Sequence, residues 1–468
     1  MTTGAAAAAD WRALGDVLAG EVIVPASDGY DEARRTANGR YDGVRPAAIV
    51  RCATPSDVQE ALSLARRRGL GIVARCGGHS MDGRSSTEGV VIDVTPMHDI
   101  AISADGVTVG AGTRLGTMYD TLADGGLMVP AGSCPSVGIA GLTLGGGLGF
   151  VGRKYGLTCD HLRAASVVLA DGRIVDTDQD HDPDLLWALR GGGMLAMGIV
   201  TRFVFTPRPA TDTTNFRLVW PMDRAVDVID AWQRWAPASP DELSASLTLT
   251  ATAALEAPIV EVFGAMLGTE AETVALIDPL VEGVGEPAEA FVRAMLHRDA
   301  VAHWAGLGDR FPRKPIAPDS PRPYSLAKSE FFRQPIPSDG IRAVLEHFAA
   351  GAALSPEREL SFIPWGGAYN RLAPEDTAFP FRHELFTLKH AMTVDPAVPG
   401  FAEMQADGWV TRSWELTHPW ATGGVFPNFG DPDLADPAAA YYGPNFARLS
   451  RVKAQYDPDG ALGASIGP

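Results

Sequence analysis

The sequence predicts an α+β protein built from several domains. Short apolar segments that end near glycine or aspartate, such as Ile72-Val73-Ala74 and Val90-Val91-Ile92, have the length and composition of β-strands. Segments with apolar residues at helical spacing lie between them, without a regular strand–helix–strand repeat. The chain has 468 residues, a length typical of two or three domains.

Composition argues against some classes of partner. The formal net charge is -18, which disfavours nucleic acid or an anionic membrane surface as the main partner, and 46% of the residues are hydrophobic, which is enough for a large core. The chain has no apolar run of the roughly 18 residues that a membrane span needs, and its N-terminus lacks the basic region of a signal peptide. The cysteines are Cys52, Cys76, Cys134 and Cys159, without a metal-binding CxxC spacing. We therefore expect a cytoplasmic protein without a metal centre.

Local signals place several elements in the first half of the chain. Residues 1–40 are expected to form a short helical lead-in. Thr54-Pro55-Ser56-Asp57 has the pattern of a capping box, so a helix should begin there and end at Gly69. Asp171-Gly172 lies between two apolar segments and predicts a tight hairpin turn.

The pattern changes after about residue 210, where glycine becomes rarer and strands such as residues 246–250 and 259–263 alternate with helices. Residues 312–323 are rich in proline and are expected to form a loop, and residues 441–456 have the apolar stripe of one amphipathic helix. We predict a cofactor-binding domain at 1–210, a substrate-binding domain at 211–420, and a C-terminal segment at 421–468 that returns to the first domain.

The glycine-rich region from residue 75 to residue 201 is the part around which the rest is organised. Glycine at this density exposes backbone N–H groups and lets a ligand approach the main chain, so we expect an anionic, phosphate-bearing cofactor. A Rossmann site is not predicted, because no strand–turn–helix unit with a following acidic residue accompanies the glycines. A P-loop is excluded because Gly-Lys-Ser/Thr does not occur.

Several ordered motifs resemble the berberine-bridge-enzyme-like FAD-linked oxidases, a family of the vanillyl-alcohol-oxidase/PCMH flavoprotein superfamily. These motifs are Arg75-Cys76-Gly77-Gly78-His79-Ser80, Gly132-Ser133-Cys134-Pro135-Ser136-Val137-Gly138, the run from Gly145 to Gly149, Arg153-Lys154-Tyr155-Gly156-Leu157 and Tyr441-Tyr442-Gly443-Pro444-Asn445. The similarity extends from about residue 30 to the C-terminus. It implies a PCMH-type FAD-binding domain of two α/β subdomains, and a substrate domain with an antiparallel sheet flanked by helices.

The resemblance also implies how the cofactor is held. His79 would attach to the 8α-methyl group of the flavin and Cys134 would form a thioether to flavin C6, as in the bicovalent subgroup. Two links would hold the ring rigidly and raise its potential. The further implied contacts are Arg75, Cys76, Gly77, Gly78, Ser80, Ser136, Val137, Gly138, Gly141, Leu142, Gly147, Gly149, Gly198, Ile199, Val200, Tyr442 and Asn445. Outside this context His79 would be a surface histidine, Cys134 a small buried apolar residue, and the glycines turn residues.

Two segments depart from the family pattern. Met194-Leu195-Ala196-Met197 stands where relatives carry glycines and an asparagine, and these side chains either fill space beside the flavin or reshape the loop. Phe426 stands where alcohol-oxidising relatives have a tyrosine that takes the proton of the substrate hydroxyl. A phenyl ring cannot accept a proton, so either another residue is the base or the reaction needs none there.

Two residues are candidates for the missing base. Period-2 alternation puts Leu388, His390 and Met392 on one face of the predicted strand 385–394, which lines the substrate side of the flavin in relatives. His390 has an intrinsic pKa suited to proton transfer. Tyr369 is the other candidate. Each is otherwise a packed or solvated strand residue.

The function that this resemblance implies is that of an FAD-dependent oxidase. It would act on an alcohol, hemiacetal or related C–H of a small molecule, a natural product in our interpretation, with hydride transfer to flavin N5 and reoxidation by O2 to H2O2. Alternatives are a flavin-dependent oxidative or redox-neutral cyclase and a flavin-binding protein without turnover. We expect a monomer or homodimer whose partners are the substrate and O2.

Overall fold

A computed structural model of the protein describes residues 2–308, 322–355, 357–396 and 403–463. The strands are β1 Glu21–Ile23, β2 Ala48–Arg51, β3 Ile72–Arg75, β4 Val90–Asp93, β5 Ile100–Ser103, β6 Gly106–Gly110, β7 Leu127–Met128, β8 Leu162–Val168, β9 Ile174–Thr177, β10 Ile199–Phe205, β11 Arg208–Pro209, β12 Thr213–Pro221, β13 Leu243–Ala251, β14 Ile259–Met266, β15 Glu289–Met295, β16 Tyr324–Phe332, β17 Arg358–Pro364 and β18 Phe386–Val394. The α-helices are α1 Thr2–Gly15, α2 Tyr30–Ala33, α3 Pro55–Arg67, α4 Leu115–Asp124, α5 Ile139–Leu144, α6 Gly152–Tyr155, α7 Pro183–Leu189, α8 Ala225–Ala238, α9 Glu270–Val284, α10 His297–Gly308, α11 Ser338–Ala350, α12 Glu403–Glu415, α13 Pro437–Tyr442 and α14 Phe446–Tyr456.

The first sheet has the strand order β1-β2-β4-β3, and β2, β4 and β3 run parallel because α3 crosses over between β2 and β3. Helix α3 begins as predicted. The Thr54 hydroxyl accepts a hydrogen bond from the Asp57 N–H, and the Asp57 carboxylate accepts one from the Thr54 N–H. The predicted helical lead-in is interrupted by β1, which pairs antiparallel with β2.

The second sheet, β5-β6-β10-β8-β9, is antiparallel. The predicted hairpin turn at Asp171-Gly172 joins β8 to β9. Both sheets share one apolar core, to which α3, α4 and α7 contribute buried side chains. Together they carry the loops of the glycine-rich region.

The third sheet is antiparallel, in the order β15-β12-β14-β13-β17-β18-β16. Helices α8, α9, α11 and α12 pack on one face through an apolar core that includes Trp232, Phe362 and Phe386. Successive residues of a strand point to opposite faces. Small polar side chains such as Ser244 and Ser246 therefore lie on the other face, which is turned toward the glycine-rich loops.

Residues 441–456 do not form the single helix that their apolar stripe predicts. Helix α13 ends at Tyr442 and α14 begins at Phe446. The break follows from Gly443, which has a φ of 43°, and from Pro444, which has no N–H to donate. Both helices still pack into the core of the first two sheets.

The predictions that remain concern the proline-rich loop, membrane spans and the domain limits. Residues 312–321 of the predicted proline-rich loop lie outside the described residues. Among the described residues, no helix has both the length and the apolar character to cross a membrane. The domain limits 1–210, 211–420 and 421–468 stay predictions.

Candidate functional site

A cavity of about 1080 Å³ lies between the glycine-rich loops and the third sheet. Residues 71–87, which comprise β3 and the loop after it, form one wall, and the loop before α5 forms the next. Ser244 and Ser246 of β13 and Ile363 of β17 contribute from the third sheet. The segment 426–430, with Phe426 and Phe429, closes the opposite side. The cavity therefore has a backbone-rich side and a side of serines and aromatic rings.

Close contact between two loops explains why glycine is needed at the base of the cavity. A Cβ on Gly138 would lie 2.1 Å from Cys76 Sγ, and one on Gly77 would lie 2.3 Å from the Gly138 nitrogen. Gly141 differs, because a Cβ there would meet open space at the cavity surface. The main chain at Gly141 can therefore be approached closely by a bound group.

The two predicted attachment residues converge on one hydroxyl group. Ser136 Oγ lies 3.0 Å from His79 Nε2 and 3.3 Å from Cys134 Sγ. Arg114 Nη1 holds the two loops together, since it donates to the carbonyl oxygens of Gly77 at 2.9 Å and Ser136 at 2.5 Å. The structure thus brings together side chains that are 57 residues apart in the sequence.

Unpaired buried donors in the cavity wall favour an anionic ligand. Arg75 Nη2 donates to Asp93 at 2.8 Å, whereas Arg75 Nη1 is buried without a hydrogen-bond partner among the described residues. The hydroxyls of Ser85 and Ser86 are likewise buried without a hydrogen-bond partner among the described residues. Arg75, Ser85 and Ser86 all line the cavity. Buried polar atoms are normally hydrogen-bonded. These N–H and O–H groups are therefore suited to donate hydrogen bonds to the oxygen atoms of a bound phosphate.

Most of the predicted cofactor contacts line the cavity. They are Arg75, Cys76, Gly77, Gly78, His79, Ser80, Cys134, Val137, Gly138, Gly141, Leu142, Gly149, Gly198, Ile199 and Val200. Burial raises the pKa of the Cys76 thiol to about 11, so this cysteine stays protonated and contributes as a neutral group. Of the segment that departs from the family, Met194, Ala196 and Met197 also lie in the wall.

The other predicted contacts are not part of the cavity lining. Ser136 is exposed and contacts His79, which lines the cavity, and the Gly147 N–H donates to Asn428. Tyr442 is fully buried in the core of the first two sheets. The Asn445 amide donates to the carbonyl oxygens of Pro374 at 2.6 Å and Thr377 at 3.0 Å. Tyr442 and Asn445 therefore support the site without facing the cavity.

His390 does not point toward the cavity, so the prediction that places it there is wrong. Its Nδ1 lies 2.8 Å from Ser413 Oγ and its Nε2 lies 3.3 Å from Thr417 Oγ1, on the helix-covered face of the third sheet. Burial lowers the pKa of His390 to about 3. Leu388 and His390 share one face of β18, as the alternation predicts. That face, however, packs on the helices and is the core face of the sheet.

Tyr369 is also buried rather than exposed to the cavity. Its hydroxyl donates to the Gly149 carbonyl at 3.1 Å, and its ring stacks on Trp365 with centroids 4.5 Å apart. Burial raises the pKa of the phenol above its ordinary value, which makes the phenolate harder to form. The structure gives Tyr369 a packing role beneath the cavity wall.

Sequence reasoning missed two features, one in the cavity wall and one on the face of the third sheet that borders the cavity. Asn428 accepts from the Gly147 N–H at 3.0 Å and donates to the Gly141 carbonyl at 3.1 Å. Glu359 and Lys389 form an ion pair of 2.9 Å on adjacent strands β17 and β18. For Asn428, the available signal in the sequence was its position two residues after Phe426. The ion pair of Glu359 and Lys389 depends on strand register.

Comparison with known proteins agrees with this geometry. The family model described as FAD binding domain matches residues 46–178, and the model described as Berberine and berberine like matches residues 425–464. The chain is 33% identical over 451 residues to the FAD-linked oxidoreductase YvdP of Bacillus subtilis (strain 168), an alignment that spans 94% of this chain and 96% of that protein. The chain belongs to the berberine-bridge-enzyme-like family of FAD-linked oxidoreductases.

Solved structures of the family have the same fold. Berberine-bridge-enzyme-like 1 of Physcomitrella patens superposes with a TM-score of 0.87 at 27% identity, covering 98% of this chain and 99% of that one. The glucooligosaccharide oxidase of Acremonium strictum, described with a 6-S-cysteinyl, 8α-N1-histidyl FAD, superposes with a TM-score of 0.85 at 23% identity, covering 98% of each chain. The predicted family and α+β fold, and the prediction that the protein is an enzyme, are confirmed.

Proposed function

We propose that this enzyme is an oxidase of small-molecule alcohols, hemiacetals or related C–H groups, with FAD attached through both His79 and Cys134. The observation that supports it is the convergence of His79 Nε2 and Cys134 Sγ on Ser136 Oγ at 3.0 and 3.3 Å, at the wall of a large cavity. Bound FAD would supply the acceptor for two electrons from a substrate carbon and would return them to O2 as H2O2.

The residues of the cavity wall suit the parts of this cofactor. Gly141 leaves the main chain open to close approach, and Arg75 Nη1 with the hydroxyls of Ser85 and Ser86 would hold phosphate oxygens. The rigid contact between Gly77 and Gly138 would fix the attachment loops. A ring system positioned in this way needs no loop to close over it, which suits a bulky substrate.

A carboxylate lies on the face of the third sheet that borders the cavity, beside the residues that line it. Ile363 lines the cavity and Glu359 lies on the same face of β17, because the two residues are an even number of positions apart. The Glu359 carboxylate is 2.9 Å from Lys389 Nζ, which lies 5.6 Å from the ring centroid of the cavity residue Phe429. We propose that Glu359 takes the substrate proton in place of the missing tyrosine, and that Lys389 holds it in position.

The replacement at Phe426 favours a second candidate, a flavin-dependent cyclase. Phe426 packs against Phe429 and Phe379 with ring centroids 5.1 and 5.9 Å apart, so this part of the wall is aromatic and these rings accept no proton. Such a wall suits an aromatic or polyketide-like intermediate whose cyclisation needs no base at this position.

Anaerobic reduction separates these functions. Candidate alcohols and hemiacetals are added to the purified protein under nitrogen, and the flavin absorbance is followed before and after air is admitted. Oxidase activity predicts bleaching under nitrogen and recovery in air with equimolar H2O2. Product formation without bleaching or H2O2 would replace the oxidase by a redox-neutral cyclase, whereas an oxidative cyclase would bleach the flavin and give H2O2 together with a ring-closed product.

A further inference from the structure

The hydroxyl of Ser136 connects the two side chains that would bind the flavin. Its Oγ is 3.3 Å from Cys134 Sγ and 3.0 Å from His79 Nε2, so thiol, hydroxyl and imidazole form a continuous hydrogen-bonded chain. Cys134 and Ser136 belong to the loop between β7 and α5, and His79 belongs to the loop between β3 and β4. We propose that Ser136 transfers the Cys134 thiol proton to His79 while the thioether to the flavin forms. This rests on the proposed attachment at both residues.

The backbone holds this arrangement independently of the serine side chain. The Leu115 N–H donates to the Val137 carbonyl at 2.9 Å, and the Ile139 N–H donates to the Thr113 carbonyl at 2.9 Å. Arg114 adds the bond from its guanidinium to the carbonyl of Gly77 across the gap to the His79 loop. Removal of the Ser136 hydroxyl should therefore leave both loops in place.

The chemistry requires a proton acceptor at this point. The thiolate is the nucleophilic form of cysteine, and the free thiol is mostly protonated at neutral pH. The thiol proton passes to Ser136 Oγ as the serine proton passes to His79 Nε2. The S–H bond and one ring C–H bond break, the S–C bond forms, and the C–H proton leaves to water. The electron pair of the C–H bond would pass into the flavin, and dioxygen would take up these two electrons with the two released protons, one from His79 and one from water, to give H2O2.

The same chain of contacts accounts for the choice of cysteine. Cys76 also lines the cavity, but its Sγ donates to the Thr113 carbonyl at 3.7 Å, and a backbone carbonyl cannot take the proton away. Burial keeps the pKa of Cys76 at about 11. Cys134 is half-buried and has an imidazole at the end of its hydrogen-bonded chain. Attachment is thus directed to Cys134.

Three variants of the full chain test the proposal. Ser136→Ala removes the hydroxyl, Ser136→Thr keeps it, and Ser133→Ala is a matched control in a serine that lines the cavity on the same loop. Each protein is produced under riboflavin limitation and mixed with FAD in air. The fraction of Cys134 peptide that carries flavin is then followed by mass spectrometry at pH 7 and pH 9, and native FAD binding and circular dichroism report folding.

We expect Ser136→Ala to bind FAD and keep its fold but to form the thioether at least about tenfold more slowly at pH 7, within the range of general base catalysis. At pH 9 the difference should shrink, because solvent hydroxide can then take the thiol proton directly. Ser136→Thr and Ser133→Ala should match the wild type. Thioether formation at the wild-type rate in Ser136→Ala would overturn the proposed proton transfer but not the double attachment. Formation as slow in Ser136→Thr as in Ser136→Ala would do the same. Absence of any flavin on the wild-type Cys134 peptide would overturn the proposed double attachment as well.

Discussion

The side-chain oxygen of Asn428 accepts a 3.0 Å hydrogen bond from the Gly147 N–H, and this bond joins the C-terminal region to the glycine-rich loops. The same amide donates to the Gly141 carbonyl at 3.1 Å. One side chain therefore holds two turns of the proposed cofactor site at a fixed separation.

We expect Asn428→Ala to lower the free energy of unfolding by about 1–2 kcal/mol, since two hydrogen bonds of roughly 1 kcal/mol each are lost. Asn428→Asp keeps the acceptor for Gly147 but sets a carboxylate oxygen against the Gly141 carbonyl oxygen, so its loss should be at least as large. Urea unfolding of the three proteins measures the difference. An unchanged midpoint in Asn428→Ala would show that the amide does not hold these loops.

Gly138 and Gly141 form a matched pair for substitution by alanine. At Gly138 the new Cβ meets Cys76 Sγ and the Gly77 nitrogen, so Gly138→Ala should destabilise the protein by about 1–3 kcal/mol. At Gly141, within α5, the Cβ enters the open cavity, and alanine is a better helix former by up to about 1 kcal/mol. Gly141→Ala should therefore keep or raise stability and weaken FAD binding.

The second effect is measured by titration of FAD into His79→Ala, Cys134→Ala protein with and without Gly141→Ala. In this background any flavin is bound without covalent links, so an affinity can be determined. Equal affinity for FAD in both proteins would place the cofactor away from Gly141.

Glu359 and His390 differ in the face of the third sheet on which they lie, and their variants should differ accordingly. Glu359→Gln keeps a hydrogen-bonding partner for Lys389 but removes the proposed proton acceptor, so we expect kcat to fall about 10²–10⁴-fold. His390→Gln changes a core residue and should lower stability with kcat within about threefold of the wild type, because no proton transfer by His390 is lost. The rate of flavin bleaching under nitrogen measures both.

An oxidation rate in Glu359→Gln within twofold of the wild-type value would show that another group takes the proton. Slower flavin bleaching in His390→Gln than in Glu359→Gln would show that the proton acceptor belongs to the face that carries His390 and not to the face that carries Glu359.

Glu330 should make stability depend on pH. Its side chain is 3% exposed, and burial raises its pKa from 4.5 to about 7 although His418 Nδ1 lies 2.9 Å away. The folded protein then binds a proton more tightly than the unfolded chain. This contribution to stability is complete below about pH 4.5 and is lost as the pH rises toward 7.

Glu330→Gln should remove that loss, so its free energy of unfolding should fall less between pH 5 and pH 7 than that of the wild type. The difference is at most about 1.4 kcal/mol for each pH unit, the value of one proton. Urea unfolding at the two pH values checks it. Parallel pH dependence in both proteins would mean that Glu330 is ionised in the folded state.

Local signals in the sequence could be interpreted without the structure. The capping box at Thr54 and Asp57 needs only four consecutive residues, and the turn at Asp171-Gly172 needs only two. His79 and Cys134 could be proposed from their motifs because each lies within a short glycine pattern. These features depend on neighbours in the chain.

Features that depend on tertiary contacts could not be predicted in this way. Alternation along β18 shows that Leu388 and His390 share a face, but only the helices packed on the sheet decide which face is buried. The ion pair of Glu359 and Lys389 depends on the register of β17 against β18. Asn428 reaches loops about 280 residues away in the sequence, so its hydrogen-bond partners depend on how the C-terminal region packs on them.

The proposed double attachment is tested most directly by the intact mass and absorption spectrum of the denatured protein. We predict that the wild type keeps its yellow colour and the added mass of one FAD after unfolding and dialysis. Cys134→Ala should keep the link to His79, and His79→Ala should keep the link to Cys134 but form it more slowly, because the proposed acceptor of the thiol proton is gone. Only the double variant should release the flavin. A wild-type chain that is colourless and carries no added mass after denaturation would contradict the proposal.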